Sequence, residues 1–260
     1  MYDFEFVKPS TVADAVAALA DEDAMALGGG QTLIPTMKQR LASPSKLVSL
    51  AGIADLQGVT TGGGSVSVGG ATTHATVAAE AGAYPALAAL AGDIGDPAVR
   101  NRGTIGGSVA NNDPSADYPA AALASGATIR TDRREIAADD FFQGMFETAL
   151  EDGEIITAVD FPIPEAANYQ KFKQPASRFA LVGVMVAKYP DGVRVAVTGA
   201  SENGVFRWKE AETALTKDFR TDALMDLDIN PLNMISDLHG TGEYRAHLVK
   251  VLTKRAVATC

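Results

Sequence analysis

"GGGQT" (Gly28–Thr32) and "GTIGGS" (Gly103–Ser108) are the two stretches whose residue types and spacing could do chemistry. Successive small residues can turn several backbone N–H groups toward one anion, and hydroxyl neighbours add further donors. Two such loops, about 70 residues apart, could grip a pyrophosphate from opposite sides. The same stretches also read as plain turns in a chain with 25 glycines. Neither meets a standard phosphate motif. G-x-G-x-x-G at a strand-to-helix turn fails in the first, because Leu33 stands where the third glycine belongs. "TGGGSVSVGG" fails at Ser67, and no Gly-Lys pair followed by Ser or Thr makes a P-loop.

Other chemistries are excluded by what the chain lacks. It has one cysteine, Cys260, so intrachain disulfides and thiolate-held iron–sulfur or zinc sites are out of reach. His74, His239 and His247 show no metal-site spacing and are expected in structural or surface roles; the last two lie in a region that looks helical. Redox chemistry would need an organic cofactor or a partner. A net charge of −10 argues against nucleic-acid binding by counterion release. No basic-then-apolar leader opens the sequence, and no run approaches the roughly 18 apolar residues that span a bilayer. The expected location is cytoplasmic, with no transmembrane segment.

The elements that must position the glycines form an α+β chain in three segments, with boundaries near residues 52 and 168. In the first, "DFEFVKP", "AMAL" and "KLVSL" read as strands and Thr11–Leu19 as a helix capped by Ser10. In the second, "SVSV" alternates, Thr73 caps a helix, and "YPALAALAGDIG" is an Ala/Leu-rich helix. "DPAVRNRGTIGGSVANNDPSADYP" is expected as a long loop, a kind more often functional than idle. An Ala-rich helix and the strands "ATIRT" and "EIITAVDFPIP" follow. In the third, "FALVGVMVAKYPDGVRVAVTGA" is a hairpin turning at "YPDG", and "EYRAHLVKVLTKRAVA" is a closing helix.

"GGGQTLIPTMKQRL", "GDPAVRNRGTIGGSVANNDPSADYPAA" and "EYRAHLVKVLTKRAV", in that order, resemble the medium, FAD-binding subunit of the molybdenum hydroxylases. That family includes aerobic carbon monoxide dehydrogenase and the flavin domain of xanthine dehydrogenase. The resemblance covers essentially the whole chain. It implies a two-part FAD-binding domain of the vanillyl-alcohol-oxidase (PCMH) type, residues 1–52 and 53–168. A C-terminal α+β domain with an antiparallel sheet and helices, residues 169–260, completes the implied fold.

The resemblance also implies FAD as cofactor and assigns residues to it. Gly28, Gly29, Gly30, Gln31 and Thr32 would wrap the pyrophosphate with main-chain N–H groups, with Leu33, Ile34 and Pro35 close by. Thr104, Ile105, Gly106, Gly107 and Ser108 would form the second loop. Asp117 stands where the family has an acid that bonds the flavin's sugar chain, although a loop aspartate can also simply stabilise a turn. Lys173 matches a lysine near the isoalloxazine and also reads as a strand-edge lysine in water. Ile156 matches an apolar residue against the ring, and a core isoleucine would look the same. Ile94-Gly95 would lie near the ring, and Phe179 sits in a loop that shapes access to it. Gly28 and Thr32 replace the family's frequent Ala and Ser, keeping small size and a hydroxyl.

The implied function is electron transfer. Electrons from the 2Fe–2S clusters of a small subunit would pass through FAD here to an external acceptor, the substrate being oxidised at a large molybdopterin-binding subunit. The implied assembly is a dimer of heterotrimers. No catalytic acid–base residue and no metal site are expected in this chain. The alternative is a stand-alone FAD-dependent reductase or oxidase of the same fold. The substrate pocket belongs to another chain, so carbon monoxide, an aldehyde, a purine and an N-heterocycle all remain open, as does the terminal acceptor.

Overall fold

The structure is a computed structural model describing residues 1–260. Its first unit alternates strand and helix: β1 (Glu5–Val7), α1 (Val12–Leu19), β2 (Ala24–Leu27), α2 (Leu33–Lys38) and β3 (Lys46–Ser49). The three strands form a parallel sheet in the order β1-β3-β2. Thr11, not the expected Ser10, caps α1 by accepting the Asp14 N–H at 3.1 Å. Ala15 and Leu19 of α1 pack with Val48 and with Ile53, Leu56, Ala71 and Ile155 from the following unit. The first two units therefore share a core.

The second unit opens with the hairpin β4 (Val59–Gly62) and β5 (Ser65–Gly69). Five helical segments follow: α3 (His74–Glu80), α4 (Pro85–Gly92), α5 (Pro97–Arg100), α6 (Ile105–Asn111) and α7 (Tyr118–Ser125). Then come β6 (Thr128–Thr131), β7 (Glu135–Ala137), α8 (Ala138–Phe141), the small hairpin β8 (Phe142–Gly144) and β9 (Glu147–Thr148), and β10 (Ile156–Pro162). β10 returns to the centre of an antiparallel sheet ordered β4-β5-β10-β6-β7. The stretch expected to be a long loop instead holds α5, α6 and the start of α7. Its glycines and polar residues hid the pattern: Asp96 and Thr104 are N-caps accepting the Val99 and Gly107 N–H groups, and α5 and α6 are too short for a visible apolar period.

The third unit is a sheet of β11 (Ala166–Lys173), β12 (Ala180–Tyr189), β13 (Gly192–Thr198) and β14 (Phe206–Arg207), paired in that order and antiparallel. It is backed by α9 (Lys209–Lys217) and the long closing helix α10 (Gly242–Thr259). His247 lies in α10, but His239 falls in the Asp237–Gly240 turn before it, not in a helix. β12 is apolar on both faces because both are covered. Val182, Val184 and Val186 pack toward α9 and α10, while Met185 and Ala187 join the second unit's core. Between the sheets runs α7, all eight of whose residues are buried. Its "YPAAALAS" composition suits the place, since small side chains let a helix approach structure on every side. No helix is long and apolar enough to cross a membrane.

Candidate functional site

Where β2 ends, Gly28, Gly29 and Gly30 carry the chain over to α2 at the junction of the units. Gly30 is at φ +71°, a conformation that glycine adopts at little cost. Its carbonyl then accepts the Ile34 N–H at 3.2 Å, which starts α2. The six successive N–H groups of Gly28 through Leu33 donate to nothing in the protein. A row of free donors on a tight backbone is an anion cradle.

The second glycine segment lies directly against the first. A Cβ on Gly28 would stand 2.6 Å from Thr104 Oγ1, and one on Gly29 would stand 1.9 Å from the Arg102 carbonyl oxygen. This segment is not the expected loop with free N–H groups. Ile105 N–H donates to Thr72 O (3.1 Å), Gly106 N–H to Gly70 O (2.8 Å), Gly107 N–H to Thr104 Oγ1 (3.3 Å) and Ser108 N–H to Thr104 O (3.0 Å). A helix start must satisfy its own donors, and here the turn that follows β5 and the Thr104 cap do so. Gly106 is required because a Cβ there would meet the Gly70 carbonyl oxygen at 2.5 Å. Gly107 has only Thr104 Oγ1 nearby, at 3.0 Å, and otherwise faces open space.

Both segments line a cavity of about 660 Å³ whose walls come from all three units. Of the expected residues, Gly28–Leu33, Thr104, Gly106, Gly107, Ser108, Asp117 and Ile156 line it, as do Ile94, Gly95 and Phe179. Three do not. Ile105 turns into the core and is fully buried. Ile34 lies beneath Gly30, with its Cγ1 2.9 Å from where a Gly30 Cβ would be. Lys173 stands outside the wall, half exposed and ion-paired with Asp93.

Asp117 was expected in the wall, whereas Lys171, His74 and Glu154, also in it, were not assigned to the site from sequence. Asp117, at the start of α7, is buried and does not cap the helix. Its carboxylate instead receives the Tyr169 hydroxyl and the Lys171 ammonium, which lies 2.9 Å from Oδ1 and 3.0 Å from Oδ2. Burial pushes this carboxyl above its usual range, against the pull of Lys171 and Tyr169. Tyr169, Lys171 and Lys173 alternate along β11 and share a face, a period-two pattern that could have brought Lys171 forward. His74 is 5 % exposed, its Nδ1 has no partner, and its ring lies 5.3 Å from that of Tyr118. Burial, aided by Arg100, lowers it to about 4, so it is neutral at pH 7. Glu154 is clamped by Arg134 (3.0 Å), Thr131 (2.7 Å) and the Glu151 N–H (2.8 Å), and Arg134 above all holds it near 2.

A small parallel unit and an antiparallel unit closing on a cradle of free amides define a two-part FAD-binding fold. A family model described as the FAD binding domain in molybdopterin dehydrogenase matches residues 2–164, and the chain belongs to that family. It is similar to the carbon monoxide dehydrogenase medium chain of Afipia carboxidovorans, with 35% identity over 98% of this chain and 95% of the relative. The nicotine 6-hydroxylase medium subunit of Paenarthrobacter nicotinovorans is also 35% identical, over 97% and 95%. Among solved structures, reconstituted CO dehydrogenase from Oligotropha carboxidovorans aligns with a TM-score of 0.91 and 33% identity, covering 99% of this chain and 97% of that one.

Proposed function

We propose that the chain is the FAD-carrying medium subunit of a molybdenum hydroxylase complex of the carbon monoxide dehydrogenase kind. It takes electrons from the 2Fe–2S clusters of a small partner subunit and passes them to an external acceptor, while substrate is oxidised on a large molybdopterin subunit. FAD, when bound, supplies the exchange between one-electron and two-electron carriers.

The observation that carries this reading is the row of free N–H groups from Gly28 to Leu33, set against Thr104 and Gly107 at one end of a cavity of about 660 Å³. A pyrophosphate fits that donor set. The Gly28–Leu33 amides would hold it, with the Ser108 side chain beside them in the wall, and substitution at Gly28 or Gly29 would close the cradle. Asp117 would accept hydroxyl donors of the sugar chain. Ile156, 4 % exposed, would present an apolar surface to the ring. In this reading the chain's own residues bind and orient the cofactor.

The test is expression of the chain with and without its partner subunits, followed by release and quantification of flavin. One FAD per chain is expected, with reduction by substrate only when the large and small subunits co-purify. A chain that takes up no FAD would overturn the reading. Full turnover by the isolated chain would favour a stand-alone reductase or oxidase instead.

A further inference from the structure

Asp117 is the one buried acid in the cavity wall whose acceptor capacity is only partly used; Asp113, also in the wall, is half-buried and accepts the Ser115 N–H. A carboxylate offers about four lone-pair positions. Oδ1 receives both Tyr169 and Lys171, while Oδ2 receives Lys171 alone. The Lys171 side chain is 2 % exposed, and its ammonium also donates to the Asp93 carbonyl oxygen at 3.3 Å. β11 brings this cation in from the third unit, and the register places Lys171 opposite Gly183 on β12. Gly183 leaves the space in which the Tyr169 hydroxyl sits, since a Cβ there would be 2.3 Å from that oxygen.

We propose that Lys171 is a positioning residue of the cofactor site. It keeps the buried Asp117 carboxylate ionised and turned so that Oδ2 accepts a hydroxyl of the bound flavin nucleotide. The proposal rests on the FAD reading above and extends it to a residue that touches Asp117 rather than the cofactor. An unpaired buried carboxylate takes up a proton instead of remaining charged. Without Lys171, burial would act on Asp117 unopposed by a cation and favour its protonated form, which would have to lose its proton to serve as a full acceptor. The other polar groups around it do not replace the cation. Tyr169 and Tyr118 are neutral phenols, the neutral His74 ring lies against Tyr118, and Asp93 adds negative charge that Lys173 balances outside the wall.

The experiment titrates FAD into the deflavinated full-length chain, read by flavin fluorescence, at several pH values between 6 and 9. Wild type should bind with little pH dependence. Lys171→Met should bind about tenfold more weakly at neutral pH, the scale of one charge-assisted hydrogen bond, and recover as pH rises. Lys171→Arg should restore both affinity and profile. In an Asp117→Asn background, Lys171→Met should cost little further affinity, because the lysine acts through that carboxylate. If Lys171→Met fails to fold, Lys171→Gln, which can still donate to Asp117 without a charge, carries the same pH test. A flat profile in the neutral variants, or an equal loss in the Asp117→Asn background, would mean a merely structural clamp and overturn the proposal. If wild type itself takes up no FAD, the functional reading falls; if wild type binds and the variants titrate flat, only the role of Lys171 falls.

Discussion

Gly29 and Arg102 meet backbone to backbone: a Cβ on Gly29 would lie 1.9 Å from the Arg102 carbonyl oxygen and 2.6 Å from the Gly103 Cα. The first unit is thereby pressed onto the segment that leads into α6. Contacts this close involve no flexible side chain that could move aside. Gly29→Ala should lower stability by about 1–3 kcal/mol or more, as overpacking does, and abolish FAD uptake. Thermal unfolding together with the visible absorbance of the purified chain measures both.

Gly106 and Gly107 are neighbours in sequence with different work to do. A side chain on Gly106 would strike the Gly70 backbone, whereas one on Gly107 would meet only Thr104 Oγ1 before entering the cavity. Gly106→Val should therefore depress the unfolding temperature. Gly107→Val should leave it close to wild type while removing bound FAD. Equal effects of the two on stability would contradict this division.

His74 sets an acid limit. Its folded-state value of about 4 lies below the ordinary 6.5. Above 6.5 the ring is neutral in both states and the difference contributes nothing. As pH falls from 6.5 toward 4 only the unfolded chain takes up the proton, so stability is lost at up to about 1.4 kcal/mol per pH unit. Chemical unfolding across that window should show this slope in wild type, and its removal in His74→Gln.

Arg245 is buried in α10 with its guanidinium divided among Asp237 (2.9 Å to both oxygens), Leu181 O (2.7 Å) and Gly199 O (2.8 Å). A lysine has no planar fork to make all four bonds. Arg245→Met should cost about 3 kcal/mol or more by leaving Asp237 and two carbonyls without their donor. Arg245→Lys should fall in between. Urea unfolding midpoints decide the order.

The fold was legible wherever apolar spacing was long enough to show a period. "FALVGVMVA" and "EYRAHLVKVLTKRAVA" gave β12 and α10, and "EIITAVDFPIP" gave the central β10. The region from Asp96 to Tyr118 was not legible, because its short helices are specified by caps and by close approach, not by an apolar stripe. At the site, the N–H groups of the first glycine segment have no acceptor in the protein, which is what an anion cradle needs. The second lines the cavity too, but its N–H groups are taken within the protein, for a physical reason. Glycine serves equally to admit a ligand and to admit another backbone, and Gly106 does the latter with Gly70. Lys171 went unnoticed because its partner lies 54 positions away, a separation closed only when the third unit's sheet packs on α7.

The matched family region stops at residue 164, yet α7 has no solvent-facing side. Cutting the chain there would strip the β12 and β13 surface from that helix and take Lys171 away from Asp117. The recognisable module and the foldable unit are thus different lengths of polypeptide. The third unit is a keystone that the flavin domain cannot shed, and any chimera joining this module to another C-terminal half inherits the obligation to supply both a complementary sheet and one buried cation.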